Sequence, residues 1–457
     1  MNAETRPKLI QQRQVLLGTP GQEPTTPATL SLEDQCFRLR PEKWVEEPQQ
    51  VSLRRTSDHV TFDLGNRRGV VEDFEPRPLW GLEDGNPFTV LDARMSVELG
   101  TRFAPLQVYE TESILWGVHV DGPNSHGEAV RLSFSLSRGD WVNDEPITLA
   151  GGRLSPWSQG NRPGLTWEPS SRHTVHSLTQ RFPTLLTALF HLWTGSPTGV
   201  CVTQVHMQAK GWCDWEFVQD APPVASRSLL PLNKLDLKVV AVWLSKAKKL
   251  GPIPFVATED RGVLQVDAQM LATALEGLHR RLVPDANRFN PPLSRNKLEK
   301  VKSQATNAAV VALEGVADAS VAKRAYNEAM SHVDQLSYAE RLTEMLPRVN
   351  RIATGLLGPS LESWINATKD VRNVQSHGLP EDDEFGEEEI SRYYVLSVSI
   401  RWALRILLLL ELVDDALIRS ALQDSDKFMY ALANIDREDY WKDFSAYEAF
   451  LNSPAIS

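Results

Sequence analysis

The alternation of apolar and polar positions changes character once along this chain. Up to about residue 220 its period is two. In EAVRLSFSLSRGDWV, Val130, Leu132, Phe134 and Leu136 alternate with Arg131, Ser133 and Ser135, which predicts a strand with one buried face. QVYETESILWGVHVDG and GVCVTQVHMQAKGWCDWEFV share that texture, with Gly, Asn and Asp turn residues between them. From Asp267 onward Ala, Leu, Glu and Arg recur at helical spacing instead. The segments are QMLATALEGLHRRL, KLEKVKSQATNAAVVALEGV, SYAERLTEMLPRVNRIATGLL, LESWINATKDVRNVQSH and an apolar run from Tyr393 to Val413. PDANRFNPP, residues 284–292, is too proline-rich to be helical and links the first two of these helices. Residues 1–30 are rich in Thr, Pro and Gln and read as a flexible tail. The expected fold class is α+β: after that tail, a β-rich domain of sandwich or barrel type over residues 31–255, then an all-α bundle over residues 256–457.

Composition narrows the picture. The 457 residues suffice for two or three domains with their own cores. Ten of the 13 tryptophans fall in the first 250 residues, which suits a sheet core where each ring covers much surface; a base-stacking surface is the other use for them. With 59 acidic against 48 basic residues and a net charge of −11, a protein that coats nucleic acid or an anionic membrane by bulk charge is excluded. Any such contact must be local. Three cysteines make no disulfide framework and point to a reducing compartment. Arg401, Arg405 and Glu411 interrupt the apolar run from Tyr393, so it falls short of the roughly 18 uncharged residues a membrane span needs. The N-terminus lacks the apolar core of a signal peptide. A cytoplasmic chain without membrane contact is expected.

Familiar catalytic frames are missing: no GxGxxG after a strand, no GxxxxGK[ST], no HExxH and no GxSxG. Cys201, His206 and Cys213 lack zinc-ligand spacing, and five residues on one strand put Cys201 and His206 on opposite faces. The segment VRNVQSHG, Val371 to Gly378, carries more. An arginine and a histidine separated by four residues can run RNA cleavage without a metal. The histidine exchanges protons with the ribose 2′-OH or the departing 5′-oxygen, while the guanidinium forks onto the phosphate. Spacing alone has no weight, because 33 arginines and 10 histidines also yield the pair Arg54 and His59 in the β-rich half. Context separates the two. Arg372 sits late in a helix expected to start near Leu361, and Gly378 and Pro380 after His377 form a helix stop. The negative end of the macrodipole there favours an imidazolium and an acid role. Five residues at 100° each put Arg372 and His377 about 140° apart on a regular helix. Either the helix end unwinds, or the two side chains face a groove shared with a second copy. The acidic run EDDEFGEEE, with seven carboxylates in residues 381–389, follows directly. It is either a solvated loop or a negative lid that holds RNA off. Arg401 and Arg405, one turn apart, suggest a basic strip facing RNA or a partner's acids.

LSYAERLTEMLPRV, LESWINATKDVRNVQSHG, the long apolar helix and ALEGLHRRL resemble the C-terminal HEPN domain of ApeA-like abortive-infection proteins. ILWGVHVDG and LTALFHLWTG look like the N-terminal domain that accompanies it. The resemblance covers most of residues 35–425, and RN-x3-H is its specific part. It implies an anti-phage endoribonuclease, dimeric or larger through its HEPN domain, that cleaves RNA (tRNA among its relatives) when an unidentified phage-derived trigger acts. It implies Arg372 and His377 as the catalytic pair, Asn373 as an auxiliary that orients the phosphate or the histidine, and Glu276 as a residue that positions or polarises the site. It calls for neither a cofactor nor a metal. The rival reading is a catalytically silent HEPN adaptor for a protein or nucleotide. A third is a carbohydrate- or nucleotide-binding β domain with a helical dimerisation tail.

Overall fold

The computed structural model describes residues 12–45, 52–55, 60–63, 76–99, 105–136, 144–160, 162–218, 228–259, 262–376 and 386–454. They divide between two compact units, Met1–Ser245 and Lys246–Ser457; the first is β-rich and the second helical.

Six strands of the first unit pair around a closed ring: β1 (Arg13–Gly18), β2 (Thr26–Glu33), β3 (Cys36–Pro41), β4 (Arg77–Glu83), β5 (Asn86–Leu99) and β6 (Pro105–Thr111). β1 pairs with β2, β2 with β3, and β3 with β6. β6 pairs with the second half of β5, whose first half pairs with β4, and β4 returns to β1. All the pairings are antiparallel, and closure removes the open edges that would invite aggregation. Val15, Leu17, Ala28, Leu30, Phe37, Leu39, Leu79, Phe88, Val90 and Tyr109 fill the inside at alternating positions. Gly81 stands opposite Phe88. A Cβ on it would lie 2.0 Å from the Phe88 ring, so the glycine gives the ring its room.

A second sheet branches from the barrel. β7 (Ser113–Trp116) continues β6 past Glu112 and keeps the same register against β5, Arg94 facing Glu110 and Thr89 facing Leu115. Its other edge pairs with β13 (Gly211–Phe217) rather than with β3. From β13 the sheet runs through β12 (Val200–Met207), β8 (Ala129–Phe134), β11 (Arg162–Pro169) and β10 (Gly152–Gln159) to β9 (Ile147–Leu149). Helix α1 (Phe182–Thr194) packs on this sheet, Phe190 edge-on to Phe134 at 4.7 Å.

Two expectations are corrected here. Residues 13–18 and 26–30 are barrel strands, not tail: Val15, Leu17, Ala28 and Leu30 alternate into the core, a pattern the Thr and Pro content obscures. FPTLLTALFHLWT, within the β-rich half, is helical. Proline sits in its first turn, and Gly195 closes it in the left-handed conformation at φ 69°.

The second unit is built on α3 (Ile253–Thr258), α4 (Leu264–Leu282), α5 (Arg295–Ala312), α6 (Ala319–Met330), α7 (Tyr338–Ile352), α8 (Leu361–Ser376), α9 (Glu387–Leu409), α10 (Asp415–Gln423), α11 (Asp426–Arg437) and α12 (Ala446–Leu451), after α2 (Leu237–Leu250). α9 is its axis. Val395, Leu396, Ser399, Ile400, Ala403, Leu404, Ile406, Leu407 and Leu408 are buried on all sides, as expected of a helix apolar all round. α4 packs along α9, with Ala268 and Ala272 among its buried residues. The Trp364 indole on α8 donates to the Ser399 hydroxyl at 2.9 Å. α5 and α6 pack on one another and bury only Thr306 and Ala322.

The burial of α9 corrects the basic strip. Arg401 is bound to the Asp267 carboxylate and the Glu259 carbonyl, and Arg405 is only 7% exposed, so neither lies on an open face. α9 also begins at Glu387. Glu387, Glu388 and Glu389 are its first turn rather than loop, where the helix dipole favours negative charge; residues 381–385 lie outside the described residues. Among the described residues no helix is long and apolar enough to cross a membrane.

Candidate active site

Arg372 is placed by the inner face of α8. Trp364, Thr368 and Val371 are completely buried and recur at i, i+4, i+7, so that stripe fixes the rotation of the helix. Arg372, next to Val371, is then left at the rim, with its side chain 35% exposed and Nη2 2.8 Å from Glu276 Oε2 on α4. The other oxygen of Glu276 accepts from Arg280, from Nη2 at 2.8 Å and Nε at 3.2 Å, one helical turn further on. One carboxylate thus lies between two guanidinium groups.

Tyr338 opens α7 under Arg372, whose guanidinium carbon is 5.2 Å from the ring centre, a cation–π contact. The position of the tyrosine is set by a capping box. Ser337 accepts from the Glu340 amide, and the Glu340 carboxylate accepts from the Ser337 amide at 2.6 Å. The phenol oxygen is buried without a hydrogen-bond partner, and burial pushes its pKa above the usual phenol range while Arg372 pulls it down by less.

A second layer lies behind. His279 on α4 is 1% exposed. Arg341 Nη1 lies 3.2 Å from its Nδ1, and Glu344 3.0 Å from its Nε2. Because arginine can only donate, the ring accepts at Nδ1 and donates from Nε2 to the carboxylate. Arg341 also donates to the Leu336 carbonyl at 3.1 Å, and burial, helped by Arg280, lowers its pKa. The layer ties α4 to α7 and so holds Glu276 and Tyr338 in register.

The structure brings Glu276 and Arg372 together and leaves Asn373 half-buried beside Arg372. His377 lies outside the described residues, as does His59; Arg54 sits in the short hairpin Ser52–Arg55 and Val60–Asp63. Cys201, His206 and Cys213 do not converge. His206 pairs with Glu128 at 3.0 Å, Cys213 is buried, and among the described residues no group of three or more His, Cys, Asp or Glu side chains could hold a metal. Sequence reasoning missed Tyr338 and Arg280. The Ser337-x-x-Glu340 signature marks a helix start and could have placed the tyrosine, but only the fold puts it beneath Arg372.

A family model described as Apea-like HEPN matches residues 270–413, a span that contains Glu276, Tyr338 and Arg372. No curated protein and no solved structure matches the chain.

Proposed function

We propose, from the premise that residues 270–413 are an Apea-like HEPN domain, that this protein is a phage-defence endoribonuclease that needs no metal. The observation that carries the reading is the Glu276–Arg372 pair. A buried carboxylate and an aromatic face hold a partly exposed guanidinium in one orientation, the arrangement a phosphate clamp requires. His377 supplies the proton chemistry, as the spacing and the resemblance imply. The ribose 2′-oxygen loses its proton and bonds to phosphorus. The bond from phosphorus to the 5′-oxygen breaks, and that oxygen takes up a proton. The products are a 2′,3′-cyclic phosphate and a 5′-hydroxyl. Arg372 stabilises charge building on the non-bridging oxygens. Asn373 would orient the phosphate or the histidine, as the resemblance implies. Two copies joined through the HEPN domains would bring two such helix ends into one groove. The first unit would hold the nuclease off or respond to the trigger, and tRNA is the substrate to try first.

The same ion pair also favours a second reading. With its guanidinium already engaged by Glu276, Arg372 could be structural in a silent HEPN adaptor for a protein or nucleotide. One experiment separates the two. Cells expressing wild type, Arg372→Ala or His377→Ala are challenged with phage, and small-RNA ends are sequenced. The enzyme reading requires cyclic-phosphate ends that appear with wild type and vanish in both variants, with Arg54→Ala unchanged. Identical RNA ends in all strains, with protection intact, would establish the adaptor.

A further inference from the structure

Among the described residues three arginines of the helical unit are more than nine-tenths buried: Arg341 at 4% exposure, Arg405 at 7% and Arg419 at 2%. Two of them are accommodated. Arg341 donates to the Leu336 carbonyl and to His279. Arg419 gives Nη1 to the Ile352 carbonyl at 2.9 Å and Nη2 to the Phe450 carbonyl at 3.0 Å and to Ser453. Arg405 differs: among the described residues it accepts no ion pair and donates no hydrogen bond, and its Nε is sealed from solvent with nothing to bond. The Trp402 ring lies 4.9 Å from its guanidinium carbon.

The charges around it have the wrong sign. Arg401, one turn back, is neutralised by Asp267. Trp402 packs edge-on against Phe428 at 5.0 Å, which brings the start of α11, and Lys427 with it, to this part of α9. Burial and the Arg401 charge push the Arg405 guanidinium down to about 10; burial and the Arg405 charge push Lys427 down as well. A desolvated cation without a counter-ion costs several kcal/mol, and an apolar side chain of like volume avoids that cost. The rest of this stretch of α9, RILLLL, is apolar, so packing alone would be served by another leucine or methionine.

We propose that Arg405, with Lys427 beside it and Trp402 as the floor, is the receptor for a phosphate-type oxyanion at the junction of α9 and α11. The guanidinium fork suits two acceptor oxygens, and a second cation nearby favours phosphate over a singly charged carboxylate. The site is distinct from that of Arg372. Asp267, which holds Arg401, precedes Glu276 by nine residues on α4, about 13 Å of helix rise. It does not depend on RNA cleavage. Free phosphate and a phosphate monoester of a nucleotide present the same chemistry.

Thermal unfolding of the full chain is followed at constant ionic strength with rising inorganic phosphate, with adenosine 5′-monophosphate, or with acetate as control. Wild type is expected to gain a saturable rise in melting temperature from phosphate, from the nucleotide or from both, and none from acetate; a response to the nucleotide alone would identify a nucleotide site. Arg405→Met should melt at or above unliganded wild type, because an unpaired buried charge is gone, and should lose the response. Lys427→Gln, at an exposed position, should keep the fold and bind about tenfold more weakly, as the loss of one charge-assisted contact predicts. A wild type indifferent to both phosphates would overturn the proposal. So would a response that survives intact in Arg405→Met or in Lys427→Gln.

Discussion

Tyr338 presents two chemically separable parts to Arg372, a ring face and a hydroxyl. The hydroxyl is buried and unpaired, so Tyr338→Phe removes an unsatisfied polar atom while keeping the ring contact. We expect unchanged or slightly higher stability and unchanged RNA cleavage. Tyr338→Leu forfeits the cation–π contact, worth about 1 kcal/mol, and should lower activity by loosening Arg372. Loss of cleavage in the Phe variant would mean that the hydroxyl itself takes part. Glu276 acts through charge. Glu276→Gln leaves Arg280 and Arg372 facing each other without the carboxylate that separates them. With the clamp misplaced, cleavage should fall about 10²-fold, while a modest drop in melting temperature reports the lost pairing. Full activity in Glu276→Gln would detach that carboxylate from the mechanism.

The start of α7 carries a stability prediction of its own. Glu340 accepts from the Ser337 amide and from Arg288, whose guanidinium bonds it at 2.8 and 3.0 Å, and these contacts hold its carboxyl down to about 2. A depressed carboxyl contributes stability that is complete above its ordinary value of 4.5 and is lost as pH falls from there toward 2. Ser337→Ala should cost about 1 kcal/mol at neutral pH; Glu340→Gln should flatten the acid limb of the melting-temperature profile, and an unchanged limb in that variant would remove the assignment. At the start of α9, Glu387, Glu388 and Glu389 sit where the helix dipole is positive. Converting those three to glutamine should therefore destabilise α9 slightly. Converting residues 381–384, whose four carboxylates lie between Arg372 and that helix in the chain, should instead raise basal RNA cleavage and flatten its salt dependence if they screen the site. Unchanged cleavage would make them a solvated segment.

Assembly and chemistry can be read on the intact protein. If the site is shared across a two-fold axis, light scattering should report at least a dimer, and mixing Arg372→Ala with His377→Ala protein should restore part of the cleavage. A monomer that cleaves RNA would end the shared-site idea. Cleavage should also survive EDTA and leave cyclic-phosphate ends, since the proposed acid, base and cation are all side chains. Activity lost on chelation and regained with magnesium would refute that mechanism.

Local pattern was enough to determine the α+β class and the HEPN resemblance. Period two in EAVRLSF and helical spacing in ALEGLHRRL are properties of neighbouring residues, and each records which face of an element is buried. The same legibility failed where composition masked period, as in the Thr- and Pro-rich strand from Thr26, or where apolar residues ran all round, as in α1. Ring closure lay beyond it, because it depends on where the edge of one long hairpin arm divides between β3 and β13. The fates of Arg401 and Arg405 were equally hidden. Their spacing resembles an exposed strip, and only the packing around α9 decides that one is paired with Asp267 and the other is buried without an acceptor. Likewise the motif singled out Arg372, but the carboxylate and the ring that hold it come from α4 and α7, far away in the chain. Distances between elements are set by how side chains fill the core between them, and no single segment carries that information.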